Sequence, residues 1–282
     1  MNIHASIQDL REALLPHRRA GRRIGLVPTM GNLHRGHLAL VEAARAQCDV
    51  VVTSIFVNPL QFGPNEDLDN YPRTLDDDLT KLREGGCDLV FTPTPALMYP
   101  RGMANQTLVQ VPEVSEGLCG GSRPGHFDGV STVVNMLFNI VQPDVACFGE
   151  KDYQQLAVIR RMVQDLHLPI DILGVPTVRE ASGLALSSRN GYLSDEQRAT
   201  AARLQGTLAE LRTALEAGAD IDTQLHQGLE SLRRAGFEPD YLELRALDLS
   251  NVTATTHDAI LLAAARLGTT RLIDNLALTL AR

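Results

Sequence analysis

"VPTMGNLHRGHLALVEAARAQ", residues 27–47, places an apolar run, a glycine-flanked turn and a helical pattern in direct succession. The run "RIGLVPTM" reads as a short buried strand ending at Pro28, which cannot donate to a sheet ladder. "HLALVEAARAQ" follows with apolar residues at helical spacing through Leu38, Val41 and Ala44. Strand, tight turn and helix in this order form the opening half of a βαβ unit, and the rest of the chain repeats the theme. "CDVVVTSIFVNP" is a second apolar strand, "TLDDDLTKLREGG" a helix with a glycine stop, and "CDLVFTP" a third strand. "VSTVVNMLFNIVQ" and "PDVACFGE" supply the next helix and strand, and "DYQQLAVIRRMVQDLH" and "IDILGVPTV" the last pair. An N-terminal helix capped at Ser6 runs to about Arg19, and "QTLVQVP" is a candidate extra β segment. Strands that are continuously apolar and separated by helices predict an α/β fold, a parallel sheet covered on both faces.

The texture changes near residue 180. "SDEQRATAARLQGTLAELRTALEAG" and "DTQLHQGLESLRRAG" read as polar amphipathic helices, followed by strand-like "DYLELRAL", "AILLAAARLG" and "TRLIDNLAL". Helices and then strands, without alternation, predict a smaller α+β domain over 178–282, after a parallel-sheet α/β domain over 1–177.

A chain of 282 residues accommodates two such domains. Its net charge of −8 argues against broad nucleic-acid or acidic-membrane binding, so an anionic substrate needs a local positive site. The N-terminus has charges where a signal peptide needs an apolar core, and no apolar stretch is long enough to span a membrane. Cys48, Cys87, Cys119 and Cys147 contain no C-x-x-C pair, which fits reduced thiols in a cytoplasmic protein.

The unusual residues fall at the carboxyl ends of the expected strands: Thr29–His37, Asn58–Gln61, Pro93–Pro100, Gly149–Asp152 and Val178–Arg189. In an open α/β sheet that edge holds the ligand crevice. A helix N-terminus there favours anions, and His34 and His37 can donate hydrogen bonds to phosphate oxygens. Zinc ligation would need a third ligand, which no H-E-x-x-H or cysteine pair supplies. A solvated glycine-rich turn explains this stretch alone equally well. Lys151 at a helix start calls for an anionic partner, either Asp152 or a ligand. "LSSRN" offers hydroxyls and a guanidinium, and "DDD" at 76–78 is either a helix N-terminal charge bias or a magnesium site. Gln61 and Gln155 suit a hydroxy-carboxylate, and His126 beside Arg123 can meet an anion.

Taken together, "PTMGNLHRGH", "SIFVNPLQF", "YPRTLDDD", "SRPGHFDGVSTVV", "CFGEKDYQQL" and "GLALSSRNGYL" resemble, in order and spacing, the pantoate–β-alanine ligases. These belong to the HxGH nucleotidyl-transferase superfamily. The resemblance extends to "ARLGTTRLIDN". It implies a Rossmann-like catalytic domain with a C-terminal lid, a homodimer, and use of ATP and Mg²⁺ to adenylate pantoate before β-alanine attacks. It places ATP contacts at Met30, Gly31, Asn32, Leu33, His34, Arg35, Gly36 and His37. Further ATP contacts fall at Gly149, Glu150, Lys151, Asp152, Val178, Leu186, Ser187, Ser188 and Arg189. His37 matches a proton donor, and His34, Lys151 and Arg189 complete the catalytic set. Gln61, Gln155, Met30, Asn58 and His126 fall at substrate positions, and Asp77 matches a carboxylate near magnesium. Cys119 stands where some relatives carry glutamate. Two rival functions are a nucleotidyl transferase for a phosphorylated acceptor and a non-catalytic nucleotide-binding module. Amides rather than basic residues at Gln61 and Gln155 argue against the first, and the intact His34, His37 and Lys151 against the second.

Overall fold

The computed structural model describes residues 1–64 and 66–281. The first part of the chain runs β1 (Asn2–His4), α1 (Ile7–Arg19), β2 (Ile24–Thr29), α2 (Arg35–Arg45) and β3 (Val50–Ile55). It continues through α3 (Leu75–Glu84), β4 (Leu89–Phe91), the short α4 (Pro95–Met98) and α5 (Leu118–Ser122), and α6 (His126–Val141). β5 (Val145–Gly149), α7 (Tyr153–Asp165) and β6 (Asp171–Val175) complete it. All six strands are parallel, in the order β1-β4-β3-β2-β5-β6. Because successive side chains point to opposite faces, β2 sends Ile24 and Leu26 to one side and Val27 to the other. The first side packs against α1, α6 and α7, the second against α2 and α3. Both faces are buried, which is why the strands read as unbroken apolar runs.

The C-terminal part holds α8 (Asp195–Ala201), α9 (Arg203–Glu216), α10 (Ile221–Arg234), β7 (Glu238–Ala246), β8 (Asp258–Leu267) and β9 (Thr270–Thr279). β7, β8 and β9 form an antiparallel three-stranded sheet. One of its faces packs against α9 and α10 through Leu208, Leu211 and Leu232. The other presents Ile260 and Leu262 to Leu118 and Tyr153 of the first part.

The sequence reading needs correction at four places. β1 is an added edge strand, too short to register as a pattern. Pro28 lies inside β2 opposite Ser54 rather than ending it; β5 pairs with β2 only at Gly25 and Leu26, so no ladder bond is demanded of the proline from that side. "QTLVQVP" is not a strand: its Val109 N–H donates to Thr132 Oγ1 of α6 at 2.9 Å and its Val109 carbonyl accepts from Ser131, so side chains replace a strand partner. The helix expected from residue 194 divides into α8 and α9 at Ala202.

Candidate active site

The strand order reverses between β2 and β5, and the cavity opens there, at the carboxyl edge of the sheet. It has a volume of about 230 Å³ and is bordered by Met30, His34, Gly36 and His37 after β2, and by Asn58 and Gln61 after β3. Gly149 at the end of β5 and Lys151, Asp152 and Gln155 after it also border it, and Val178, Leu186, Ser187, Ser188 and Arg189 come from the segment beyond β6. A second cavity of about 530 Å³ adjoins it between the two sheets and shares Lys151, Asp152, Gln155, Ser187 and Arg189.

The histidine pair is built by the end of its own helix. His34 is the N-cap of α2, and its Nδ1 accepts the Gly36 N–H at 3.1 Å. His37 reaches back, its Nδ1 accepting the His34 N–H at 3.3 Å, so two imidazoles perform the reciprocal capping usually given to Ser and Glu. A nitrogen that accepts carries no proton, so each neutral ring bears its hydrogen on Nε2. The rings lie 4.1 Å apart between centroids. A Cβ on Gly36 would lie 2.9 Å from the His34 ring, which is why glycine separates the two. Burial, with Lys151 next in weight, lowers His34 to about 4; burial, then His34 and Lys151, lowers His37 to about 3. Both rings are therefore neutral hydrogen-bond donors at physiological pH. Burial against a neighbouring ring and a lysine disfavours an imidazolium, so what His37 presents is the hydrogen on its neutral Nε2.

The turn before the pair rests on the last carboxylate of the acidic run 76–78, expected as a helix charge bias or a magnesium site. Asp78 of α3, 1% exposed, accepts from Asn32 N–H at 2.8 Å and Leu33 N–H at 2.7 Å. One turn along, Lys81 Nζ donates to the Leu33 carbonyl at 2.9 Å. Helical spacing that turns Asp78 inward turns Asp77 outward: Asp77 is exposed and lines neither cavity. Among the described residues no cluster of three His, Cys, Asp or Glu side chains is arranged to hold a metal ion. Gly31, Asn32, Leu33 and Glu150 do not line the central cavity, and Arg35 is exposed on the far side of α2.

The amides divide into workers and braces. Asn58 is buried and spent internally: its Nδ2 donates to Gln61 Oε1 and the Gly129 carbonyl, and its Oδ1 accepts from Tyr99. It thus orients Gln61. Gln154 holds the chain at Val114, Glu116 and Cys119, whereas its neighbour Gln155 borders both cavities. His126 lies in the adjoining cavity, with Nδ1 donating to the Gln61 carbonyl at 2.8 Å and Nε2 accepting from Arg123 at 2.9 Å. Arg123 is itself paired with Glu66 at 2.6 Å.

The segment after β6 reaches the histidine turn from the opposite side. Ser188 Oγ donates to the Asn32 carbonyl at 3.2 Å, and Asn32 Nδ2 returns a bond to the Ser188 carbonyl at 3.3 Å. Arg189 is engaged by Asp67 through two bonds of 3.0 and 2.8 Å. Lys151 Nζ lies 3.8 Å from Asp152, too far for a good hydrogen bond. Around the two cavities, then, the Lys151 ammonium is partly free, whereas the Arg123 and Arg189 guanidinium groups are already paired with carboxylates.

A family model for pantoate-beta-alanine ligase matches residues 2–277. The chain belongs to the pantoate–beta-alanine ligase family. The pantothenate synthetase of Stutzerimonas stutzeri is 63% identical over 278 residues, covering 98% of this chain and 97% of that protein. The crystal structure of pantothenate synthetase from Thermus thermophilus superposes with a TM-score of 0.92 at 49% identity, covering 98% of this chain and 99% of that one. That of the pantoate-beta-alanine ligase from Francisella tularensis, complexed with beta-gamma ATP and beta-alanine, has a TM-score of 0.82 at 34% identity, covering 98% and 97%. These likenesses span both sheets of the ligase, including every cavity-lining segment described above.

Proposed function

We propose that the histidine cavity is where this ligase condenses pantoate with β-alanine at the expense of ATP, through a pantoyl adenylate. The reading is carried by one arrangement: two neutral Nε2–H donors and the Lys151 ammonium border the same cavity as the Gln61 and Gln155 amides. A carboxylate is a poor electrophile until its oxygen belongs to a good leaving group. A pantoate carboxylate oxygen attacks the α-phosphorus of ATP, the bond to the bridging oxygen breaks, and pyrophosphate leaves. The negative charge that grows on the phosphate oxygens meets His34, His37 and Lys151, which are in place beforehand. Gln61 and Gln155 orient the acid. The amine of β-alanine then attacks the acyl carbon and AMP departs.

Ser187, Ser188 and Arg189 contribute from the second wall, with Arg189 exchanging Asp67 for phosphate. Mg²⁺, when bound, neutralises triphosphate charge. With no dedicated cage among the described residues, it would be held mainly by phosphate oxygens and water, beside the exposed Asp152 carboxylate. Residues 178–282 act as a lid that excludes water from the hydrolysable adenylate. A homodimer in the cytoplasm is the setting we infer. All four cysteines are free thiols, and among the described residues no helix is long and apolar enough to cross a membrane.

The decisive assay omits each substrate in turn. Pyrophosphate release should require pantoate but not β-alanine, and pantothenate and AMP should appear only when all three are present. Pyrophosphate release indifferent to pantoate points to a nucleotidyl transferase for another acceptor, and no release at all to a binding module.

A further inference from the structure

Asp274 and Asn275 close the "ARLGTTRLIDN" stretch, lie on β9, and are 4% and 8% exposed. Neither is part of the phosphate-facing set, yet both are joined to it. The Asn275 Nδ2 donates to the carbonyls of Glu150 and Lys151, each at 2.9 Å. A primary amide nitrogen has two hydrogens, and both are used. The two acceptors are consecutive in the turn Glu150–Asp152, so holding them sets the peptide plane between them and the direction in which Lys151 leaves the backbone. Asp274 takes the other wall. Its carboxylate receives two bonds from Arg179, at 2.6 and 2.8 Å, and its Oδ1 also accepts the Asn275 N–H at 2.8 Å. Arg179 also donates to the Gly183 carbonyl at 3.1 Å, and Leu186 N–H closes on the Val178 carbonyl at 3.0 Å. The loop that leads into Ser187–Arg189 is thereby tied down at its base.

We infer that Asp274 and Asn275 are positioning residues for the nucleotide: two adjacent side chains on the edge strand of the small sheet hold the Lys151 turn and the Val178–Arg189 segment in one register. β9 is an edge strand, so one flank of it pairs with β8 and the other is free to meet the first sheet's turns. Placed there, the C-terminal sheet is more than a cover. It forms part of the frame that aims the ammonium.

The inference rests on the assignment of Lys151 to the triphosphate, and a double-mutant cycle separates the two. Steady-state kinetics with MgATP, pantoate and β-alanine are measured for the wild type, Lys151→Ala, Asn275→Ala and the double variant, with thermal unfolding recorded for each. Asn275→Ala should lower kcat/KM for MgATP by about ten- to a hundredfold while leaving the pantoate KM within about twofold. In the Lys151→Ala background the same substitution should cost less than about threefold, because the group it acts through is gone. Equal losses in both backgrounds, or a loss shared by the pantoate KM, would reduce Asn275 to general packing and overturn the inference. Unchanged MgATP kinetics in Lys151→Ala alone would instead sink the assignment of Lys151. If Asn275→Ala does not fold, Asn275→Ser, which keeps one donor, carries the same cycle with a smaller expected loss.

Discussion

The two walls of the histidine cavity are held in place by different means. The Met30–His37 turn is braced from beneath: buried Asp78 accepts two of its N–H groups, Lys81 donates to one of its carbonyls, and the two imidazoles together cap the start of α2. The Ser187–Arg189 segment is braced from across the cavity. Arg189 is paired with Asp67, their side chains 28% and 25% exposed, and Tyr192 also reaches Asp67, at 3.4 Å. A satisfied buried network is stiff, because no water stands ready to replace a lost partner. An ion pair that water still reaches is easier to open, because solvent can take up either partner as the two separate. One wall is thus a fixed template and the other an arm held by a single ion pair, which on the proposed function trades its carboxylate for a phosphate.

The largest losses should follow removal of the donors proposed to meet the phosphates. Lys151→Ala and His37→Ala should each lower kcat for pantoate-dependent pyrophosphate release by about 10²- to 10³-fold, the scale for losing a preorganised donor at developing charge. A His37→Ala enzyme with full turnover would remove that imidazole from the reaction. Next comes the brace itself. Asp78→Asn sets an amide NH₂ against a backbone N–H that needs an acceptor, a loss of ~1–3 kcal/mol. It should lower kcat/KM for MgATP by about ten- to a hundredfold, with a fall in melting temperature and an unchanged pantoate KM. If pantoate and MgATP suffer alike, Asp78 is serving the fold at large rather than the turn.

How much of this was legible beforehand follows from sequence distance. The parallel sheet was readable because its evidence is local: unbroken apolar runs between helices need only a window of residues. The histidine turn was readable for the same reason. Asp78 was not, since the signal of "DDD" is a helix start, and its partners lie 46 and 45 residues away. Asp67 meets Arg189 across 122 residues, and Asn275 meets Glu150 across 125. No periodicity records such pairings. Adjacent residues of one type also part company only in three dimensions: Gln154 is a brace and Gln155 a cavity residue, Asp78 faces inward and Asp77 outward.

Smaller effects sharpen the comparison. Gln155→Ala should raise the pantoate KM by about tenfold, the worth of a hydrogen bond to a charged acid, and leave the MgATP KM alone. Unaltered pantoate kinetics would mean that the amide serves no substrate. Asp67→Asn should act in the opposite direction to every variant above. It frees Arg189 from a resident anion, so the MgATP KM should fall by about two- to fivefold, in keeping with the modest net worth of a pair that water still reaches. A rise would show that Asp67 holds Arg189 in its working position throughout turnover.

The mildest expected effect is on stability, and its sign follows from the imidazoles. His34 and His126 are lowered to about 4 and His37 to about 3, in each case by burial first. An unfolded chain takes up these protons near pH 6.5, whereas the folded one refuses them until the pH is far lower. Between about pH 6.5 and 4 the unfolded state therefore binds more protons, and stability falls as the pH drops through that window. Above about pH 7.5 these groups contribute no slope. His126 sits at the first turn of α6, beside Arg123, where a cation is doubly unwelcome. His126→Gln can still donate to the Gln61 carbonyl and accept from Arg123, but it takes up no proton when unfolded. Urea unfolding at pH 7.5 and pH 5 should show a smaller acid loss in this variant than in the wild type. An equal loss would mean that His126 is already protonated in the folded protein, and that the acid-side cost arises elsewhere.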